Sequence, residues 1–170
     1  RDVPLKARAV RAAALAGVPA LGVEDARHVL VRLWRAAEPD EWPAILAGLV
    51  AREVGVKQAW EALAADNGRV RRAGGEALWA LLGSEAEPAA LRRLAAGGPV
   101  TLGLCEALSR VGSVAAIPHL SEIEGFGGPA AEAAGWAVAD IRERAVGAPG
   151  GLALAQEGGE LALARGEVDG

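Results

Sequence analysis

Apolar residues recur at intervals of three and four along most of the chain, in segments separated by short stretches containing Gly, Pro, Asp or Ser. This spacing places the apolar side chains on one face of an α-helix. No segment before residue 150 alternates long enough to predict a strand, and breaks of two to six residues are typical of neighbouring antiparallel helices. The pattern therefore predicts an all-α fold, with helices at 4–16, 23–37, 41–54, 56–66, 68–82, 87–96, 99–111, 114–124 and 129–145.

The later segments repeat with a period of 30 residues. A fixed period in this range is typical of a solenoid, because a single helix pair cannot bury its apolar face alone. The repeat is visible in three sets of equivalent positions: Val70, Ala77 and Leu78; Val100, Ala107 and Leu108; and Ala130, Ala137 and Val138.

The repeated segments also resemble a known family. The run Asp-Asn-Gly-Arg-Val-Arg-Arg-Ala at 66–73, continued by Glu-Ala-Leu at 76–78 and Leu-Gly at 82–83, resembles the second helix of a bacterial HEAT repeat. Ala-Ala-Ile-Pro-His-Leu at 115–120 resembles the first helix of the next repeat. Together they resemble the short HEAT-like repeats of the phycobilisome-lyase type, most closely from about 54 to 145. The resemblance implies a right-handed α-solenoid of about four stacked two-helix repeats over residues 1–145, and it specifies function hardly at all.

Composition and charge exclude several classes of protein. The chain is 52% hydrophobic with one Phe, five Trp, no Tyr and no Met, and much of the apolar content is Ala, the best helix former. The net charge is −4, of which residues 146–170 contribute −3 through four acidic residues and one arginine. The nearly neutral body argues against nucleic acid as the partner. No apolar run approaches the ~20 residues that span a bilayer, so we predict a soluble, cytoplasmic protein without membrane association.

The residues capable of catalysis or metal binding are few and scattered. A HEAT-like metal enzyme such as deoxyhypusine hydroxylase would require His-Glu pairs, but Val29 follows His28 and Leu120 follows His119. The single cysteine, Cys105, excludes an internal disulfide and a cysteine-based zinc site, and no motif supplies it with a base. We therefore predict a protein that is not an enzyme and needs no cofactor or metal.

Glycine pairs and carboxylate pairs are interpreted as structural. The Gly-Gly pairs at 74–75, 97–98 and 127–128 lack the spacing of a phosphate loop and indicate helix contacts or breaks. The pairs Glu85–Glu87 and Glu122–Glu124 lie near predicted helix ends, where we expect them to complement the helix dipole or face solvent.

The tryptophans indicate both core and surface. Trp60 shares an apolar helix face and is expected in the core, Trp42 is expected to pack at the start of its helix, and Trp34 flanks an apolar stripe. Trp79 instead falls opposite the apolar stripe of its helix. In HEAT-like stacks the second helix of each pair usually lines the concave surface. We predict a concave partner-binding face that contains Arg72, Glu76, Trp79, Glu106, Glu132 and Trp136; the alternative is that each Trp packs against a neighbouring repeat.

An alternative binding surface consists of arginines. Arg69, Arg71 and Arg72, with Arg92 and Arg93 on the following helix, could form a local patch for an anion or a phosphate backbone, as in HEAT-like DNA glycosylases. The resemblance, however, implies a structural ladder role for the arginine after the valine, which here is Arg71.

The last residues form a second region. Gly-Gly-Leu-Ala-Leu-Ala at 150–155 is echoed nine residues later by Gly-Glu-Leu-Ala-Leu-Ala at 159–164. One interpretation is a flexible acidic tail over 146–170. The other is a duplicated linear motif in which Leu152, Leu154, Leu161 and Leu163 add a strand to a partner's sheet.

The predicted function follows from the absence of catalytic and metal-binding motifs and from the 30-residue repeat. We predict a non-catalytic scaffold or adaptor that binds another protein or peptide on the concave face and, in one interpretation, a second partner through the tail. The resemblance keeps a lyase-type or chromophore-handling accessory role open as an alternative, and the arginines keep nucleic-acid binding open. The sequence does not define the oligomeric state.

Overall fold

Helices account for nearly all of the computed structural model, which describes residues 3–147, with the side chains of residues 3–6, 9 and 13 excepted. No strand occurs within these residues. Short 3-10 helices at Val18–Ala20, Pro39–Glu41, Gly83–Glu85 and Val114–Ala116 connect some of the α-helices. The α-helices are α1 (Val3–Gly17), α2 (Val23–Ala36), α3 (Trp42–Val50), α4 (Val56–Leu63), α5 (Gly68–Leu82), α6 (Ala86–Ala96), α7 (Thr101–Val111), α8 (Ile117–Glu124) and α9 (Gly128–Gly147).

The predicted all-α class is confirmed, and most predicted helix bounds lie within two or three residues of the observed ones. Side-chain caps and glycines set several of these bounds. Asn67 begins α5 by accepting a hydrogen bond from the backbone N–H of Arg69 at 2.9 Å. Gly97 and Gly98 have positive φ and separate α6 from α7, and Gly127 and Gly128 do the same between α8 and α9. The glycine pairs at 97–98 and 127–128 are therefore breaks, as predicted.

The largest difference in bounds lies at the end of α3. The predicted helix continues to residue 54, whereas α3 ends at Val50 and the chain turns. The N–H of Val54 donates to the carbonyl of Leu49 at 3.1 Å, and that of Glu53 donates to the carbonyl of Val50 at 2.9 Å. This pair of bonds is the Schellman helix ending, which requires a left-handed residue at the position of Glu53. Glu53 accordingly has φ 55°, a conformation that disfavours every residue with a Cβ.

Glycine at position 53 should stabilise the protein. We expect Glu53→Gly to raise the free energy of unfolding by up to about 1 kcal/mol, because glycine removes the left-handed penalty while losing some chain entropy. Urea denaturation of both chains measures the difference. Glu38→Gly is the control, since Glu38 has φ −75° and makes a capping box with Glu41, so its replacement should destabilise. An unchanged or lower stability of Glu53→Gly would contradict the interpretation.

The chain divides into two compact units after Ala107. In the first unit, α5 packs against α3, α4 and α6, and α2 packs against α3. The core consists of apolar side chains with no solvent exposure or nearly none, among them Leu30, Leu46, Leu49, Leu63, Val70, Leu78, Leu104 and Cys105. The repeat positions Val70, Ala77, Leu78 and Ala107 all belong to this buried set.

Glycine allows two helices of the first unit to approach α4 closely. A methyl group on Gly74 of α5 would lie 2.8 Å from the backbone nitrogen of Leu63 and 2.9 Å from the carbonyl oxygen of Ala59. A methyl group on Gly103 of α7 would lie 2.3 Å from the carbonyl oxygen of Leu63. The sequence interpretation of the pair at 74–75 as a helix contact is confirmed for Gly74.

Two tryptophans stack beside this core. The rings of Trp34 and Trp42 lie 4.2 Å apart between centroids, at 22°. The indole N–H of Trp34 donates to Oε2 of Glu61 at 2.6 Å, which explains how this side chain can be 4% exposed. Trp42 packs at the start of its helix as predicted, whereas Trp34 is a core residue rather than a flanking one.

The second unit comprises the end of α7 with α8 and α9, described from Leu108 to Gly147. Its core contains Leu108, Leu120 and Ile141 with several alanines of α9. Arg144 of α9 donates to the carbonyl oxygens of Ser109 and of Gly112, where α7 ends. A cationic side chain complements the negative end of a helix, so this contact ties α9 to the end of α7.

Candidate functional site

Three predicted site residues lie on one face of α5, along about two helical turns. The Nε of Arg72 donates to Oε1 of Glu76 at 2.8 Å, and both side chains are mostly exposed. Trp79 is half-buried. An exposed ion pair between residues four apart contributes at most about 0.5 kcal/mol to stability. A partner that bound Arg72 or Glu76 would therefore lose little by breaking the pair. The half-burial of Trp79 places it between the two sequence interpretations.

Glu106 has a different environment from its period equivalent, Glu76. Its Oε2 accepts from Nε of Arg71 at 2.9 Å and its Oε1 accepts from Nη2 at 2.6 Å, with side-chain exposures of 27% for Glu106 and 13% for Arg71. Arg71 also donates to the carbonyls of Ala65 and Asp66, just after α4. The hydrogen bonds to Glu106 raise the pKa of Arg71 above its ordinary range. Glu106 is thus held in an ion pair within the protein, and the ladder role of Arg71 stays a prediction of the resemblance.

One further arginine of the predicted patch, Arg93, also has a partner. The guanidinium carbon of Arg93 lies 5.7 Å from the centroid of the Trp60 ring, a cation–π contact. Trp60 is half-buried rather than a core residue, and this arginine lies over its ring. With Arg71 bound to Glu106 and Arg72 to Glu76, three of the five arginines are engaged within the protein, which weakens the case for a phosphate site.

The two remaining predicted residues of the helical region meet in a groove of the second unit. This groove, called the α9 groove, is open to solvent and has a volume of about 740 Å³. It is lined by Glu124, Gly127, Gly128, Ala131, Glu132, Gly135, Trp136 and Ala139. Trp136 is 72% exposed. Glu132 lies four residues earlier on α9, so the two side chains are neighbours on one helix face. Glu124 approaches from α8, and a methyl group on Gly135 would lie 3.3 Å from its Oε1.

Both carboxylates of the α9 groove lack a partner in the part of the chain that the structure describes. Among residues 3–147 neither Glu124 nor Glu132 has an ion pair or side-chain hydrogen bond, and no basic side chain lines the groove. Glu124 is also the last residue of α8, where the helix dipole is negative. Of the two expectations for Glu122–Glu124, the second applies: both residues lie in the final turn, where they do not complement the helix dipole, and both face solvent. The unfavourable interaction of the Glu124 carboxylate with the negative end of α8 costs about 0.3–1 kcal/mol of stability.

Sequence reasoning missed the α8 side of the groove. Glu124 lines it, and close by, outside the lining, Phe126, the only Phe of the chain, stands between Gly125 and Gly127 and is 85% exposed. Helical periodicity assigns no face to Phe126, which lies in a turn, and it does not show what packs beside Glu124 at the end of its helix. A signal was nevertheless present, since a large aromatic side chain between glycines cannot be explained by the packing of a helix.

Two other depressions lie in the first unit. One, of about 230 Å³, runs between α3 and α5 and is lined by apolar side chains of both helices with Glu76. The other, of about 290 Å³, is flanked by the ion pairs Arg8–Asp40 at 2.8 Å and Arg11–Glu41 at 2.5 Å. Hydrogen bonding to Arg11 lowers the pKa of Glu41 below its ordinary range. Two arginines and two carboxylates of this second depression are therefore paired with each other, and Arg69 lines it as well.

The histidines and the cysteine form no metal site in the part of the chain that the structure describes. Within residues 3–147, no group of three His, Cys, Asp or Glu side chains is arranged to hold a metal ion. His28 is exposed and contacts the carbonyl of Glu24, while His119 is half-buried. Cys105 is fully buried, and burial raises its pKa to about 12. The interpretation of Cys105 as a packing residue is confirmed.

Cys105 should therefore be inert towards thiol reagents. With a pKa of about 12, roughly one thiol in 10,000 is ionised at pH 8, and the thiolate is the reactive form. We expect Ellman's reagent to label the folded chain at least about 100-fold more slowly than the chain in 6 M guanidinium, at pH 8 and still at pH 9. Labelling of the folded chain at a rate close to that of the unfolded chain would contradict this expectation and reopen the thiol as a reactive group.

The predicted tail residues Leu152, Leu154, Leu161 and Leu163 lie outside the described residues, and both interpretations of the tail stay predictions. None of the helices described is long and apolar enough to span a membrane. Comparison with protein-family models, with curated proteins and with solved structures finds no match to the chain.

Proposed function

We propose that this protein is a non-catalytic binding module that holds a segment of a partner protein in the α9 groove. The observation that carries the proposal is the exposure of Trp136, which is 72% accessible on the wall of an open groove. Exposing a large indole to water forgoes about 2 kcal/mol of burial, and tryptophan is enriched among the residues that dominate binding energy. A buried tryptophan would instead indicate packing alone.

We further propose that the helices belong to a HEAT-like solenoid acting as a scaffold. Support comes from the first unit, where α5 contacts its own partner helix α4 and also α3 and α6. Contacts of this kind are what a stack of helix pairs requires. In this proposal, Arg72, Glu76 and Trp79, with the apolar depression between α3 and α5, form a second binding surface.

The test is affinity capture from the source organism with the full chain and with Trp136→Ala. A partner retained by the wild-type chain should bind the variant at least about 10-fold more weakly, while circular dichroism and thermal unfolding stay unchanged because the side chain is exposed. Val114→Ala, which shortens another exposed apolar side chain of the second unit, is the control and should bind normally.

A version ending at Gly147 completes the experiment. If capture depends on residues 148–170 and is indifferent to Trp136→Ala, the tail is the binding element and the proposed function of the α9 groove is wrong. If the shortened version keeps its partner and Trp136→Ala loses it, the helical part holds the partner.

A further inference from the structure

We propose that the partner segment held in the α9 groove presents a positively charged side chain, arginine above all, to Glu124, Glu132 and Trp136. This inference rests on the proposed function, because it specifies the chemistry of what that groove binds. Three features of the groove support it: its charge, the exposed face of the indole, and the shape of its floor.

The groove carries negative charge that nothing described neutralises. Glu124 from α8 and Glu132 from α9 line the same depression, and no lysine, arginine or histidine lines it with them. The surrounding described residues, 108–147, contain three arginines and five carboxylates. Two of the arginines are not candidates for the groove, since Arg144 binds carbonyls at the end of α7 and Arg110 has an interaction of its own. A cationic occupant would supply the missing charge.

The indole supplies a second feature that a cation recognises. Trp136 stands one helical turn after Glu132, and its exposed ring offers a π face beside that carboxylate. Guanidinium groups stack on such faces while donating hydrogen bonds at their edges. An arginine lying against Trp136 would keep its N–H groups free to reach a carboxylate, and an acidic or purely apolar segment could use only part of the site.

The floor permits close approach of a chain. Gly127 and Gly128 have φ of 77° and 81°, and nothing lies within 4 Å of where a methyl group would be on either residue. Gly135 and two alanines complete the surface beside Trp136. An extended segment can therefore contact the groove along its length, with the charged side chain as its specific element.

The test uses two peptides and the indole signals in nuclear magnetic resonance. The probes are acetyl-Gly-Arg-Gly-Arg-Gly-amide and the same peptide with citrulline, a neutral isostere, in place of arginine. Trp136→Ala assigns the Trp136 indole N–H among the five indole signals. We expect the arginine peptide to shift the Trp136 signal and leave the other four in place, and the citrulline peptide to bind about 10-fold more weakly.

Carboxylate variants of the full chain localise the effect. Glu124→Gln and Glu132→Gln should each weaken binding of the arginine peptide about 3- to 5-fold, and Glu122→Gln, an exposed α8 residue that does not line the groove, should leave it unchanged. Equal binding of both peptides, no shift of Trp136, or equal weakening by all three glutamine variants would overturn the inference. If the captured partner requires Trp136 but binds both groove variants like wild type, the inference falls and the proposed function stands. If capture ignores Trp136, the proposed function falls as well.

Discussion

Gly103→Ala is expected to lower the free energy of unfolding by at least about 3 kcal/mol, and the midpoint of thermal unfolding by on the order of 10 °C. The added methyl group would lie 2.3 Å from the carbonyl oxygen of Leu63. That oxygen belongs to the backbone at the end of α4, so no side chain can rotate to make room and α7 must move away. Alanine improves helix propensity by about 1 kcal/mol, which the steric cost exceeds. Calorimetry or urea denaturation measures the change.

Gly74→Ala and Gly68→Ala form a matched pair for this prediction on α5. Gly74 faces backbone atoms of α4 at 2.8 and 2.9 Å, so its substitution should also destabilise strongly. A methyl group on Gly68 meets only the guanidinium end of Arg71, at 3.5 Å, so alanine there should be neutral or slightly stabilising. If all three substitutions had the same small effect, the close approach of α5 and α7 to α4 would be contradicted.

Removal of Glu106 should cost about 2 kcal/mol of stability. Glu106→Ala leaves the guanidinium of Arg71 with the carbonyls near the end of α4 but without its carboxylate, in a site where only 13% of the arginine side chain is exposed. A fully buried charge left alone costs more, about 3–5 kcal/mol, and the residual exposure of both partners reduces the penalty. Arg71→Lys should also destabilise, because an ammonium group cannot make the two parallel hydrogen bonds.

The exposed pair Arg72–Glu76 provides the contrast in the same region. Glu76→Ala should change stability by no more than about 0.5 kcal/mol, since both side chains face solvent. A double-mutant cycle on Arg71 and Glu106 should give a coupling energy of about 1–2 kcal/mol, and the same cycle on Arg72 and Glu76 a value near zero. Equal coupling in the two cycles would show that burial does not distinguish them.

Local features of the chain predicted most of the helices. The bounds of α5 follow from Asn67 as a cap and Gly83 as a break, both visible in the sequence. The end of α3 was not predictable in this way, because Glu53 occupies a left-handed position that glycine usually fills. Tertiary packing also changed the burial of single side chains from what periodicity predicts. Trp34 flanks the apolar stripe of its helix, yet contacts with Glu61 and Trp42 enclose it.

The candidate site was predictable only in part, because a repeat equates positions whose neighbours differ. Glu76 and Glu106 are one period apart, but Arg72 on the same helix reaches the first and Arg71 from another helix reaches the second. Trp79 and Trp136 were predicted on the same binding face, but Trp79 is half-buried and Trp136 is exposed. Helix periodicity indicates which side chains face away from the core of their own helix. It does not indicate what other segments place beside them, as Glu124 shows.

Four of the five tryptophans, Trp34, Trp42, Trp60 and Trp79, belong to the first unit, and Trp136 alone belongs to the second. Because the chain contains no tyrosine, its near-ultraviolet emission comes almost entirely from these indoles. A solvent-exposed indole emits at longer wavelength than an enclosed one, so the red edge of the spectrum belongs mainly to Trp136. In a Trp136→Phe variant, tryptophan fluorescence would come from the first unit only. Subtracting the fluorescence-detected thermal unfolding curve of this variant from that of the wild type would isolate the unfolding of the second unit.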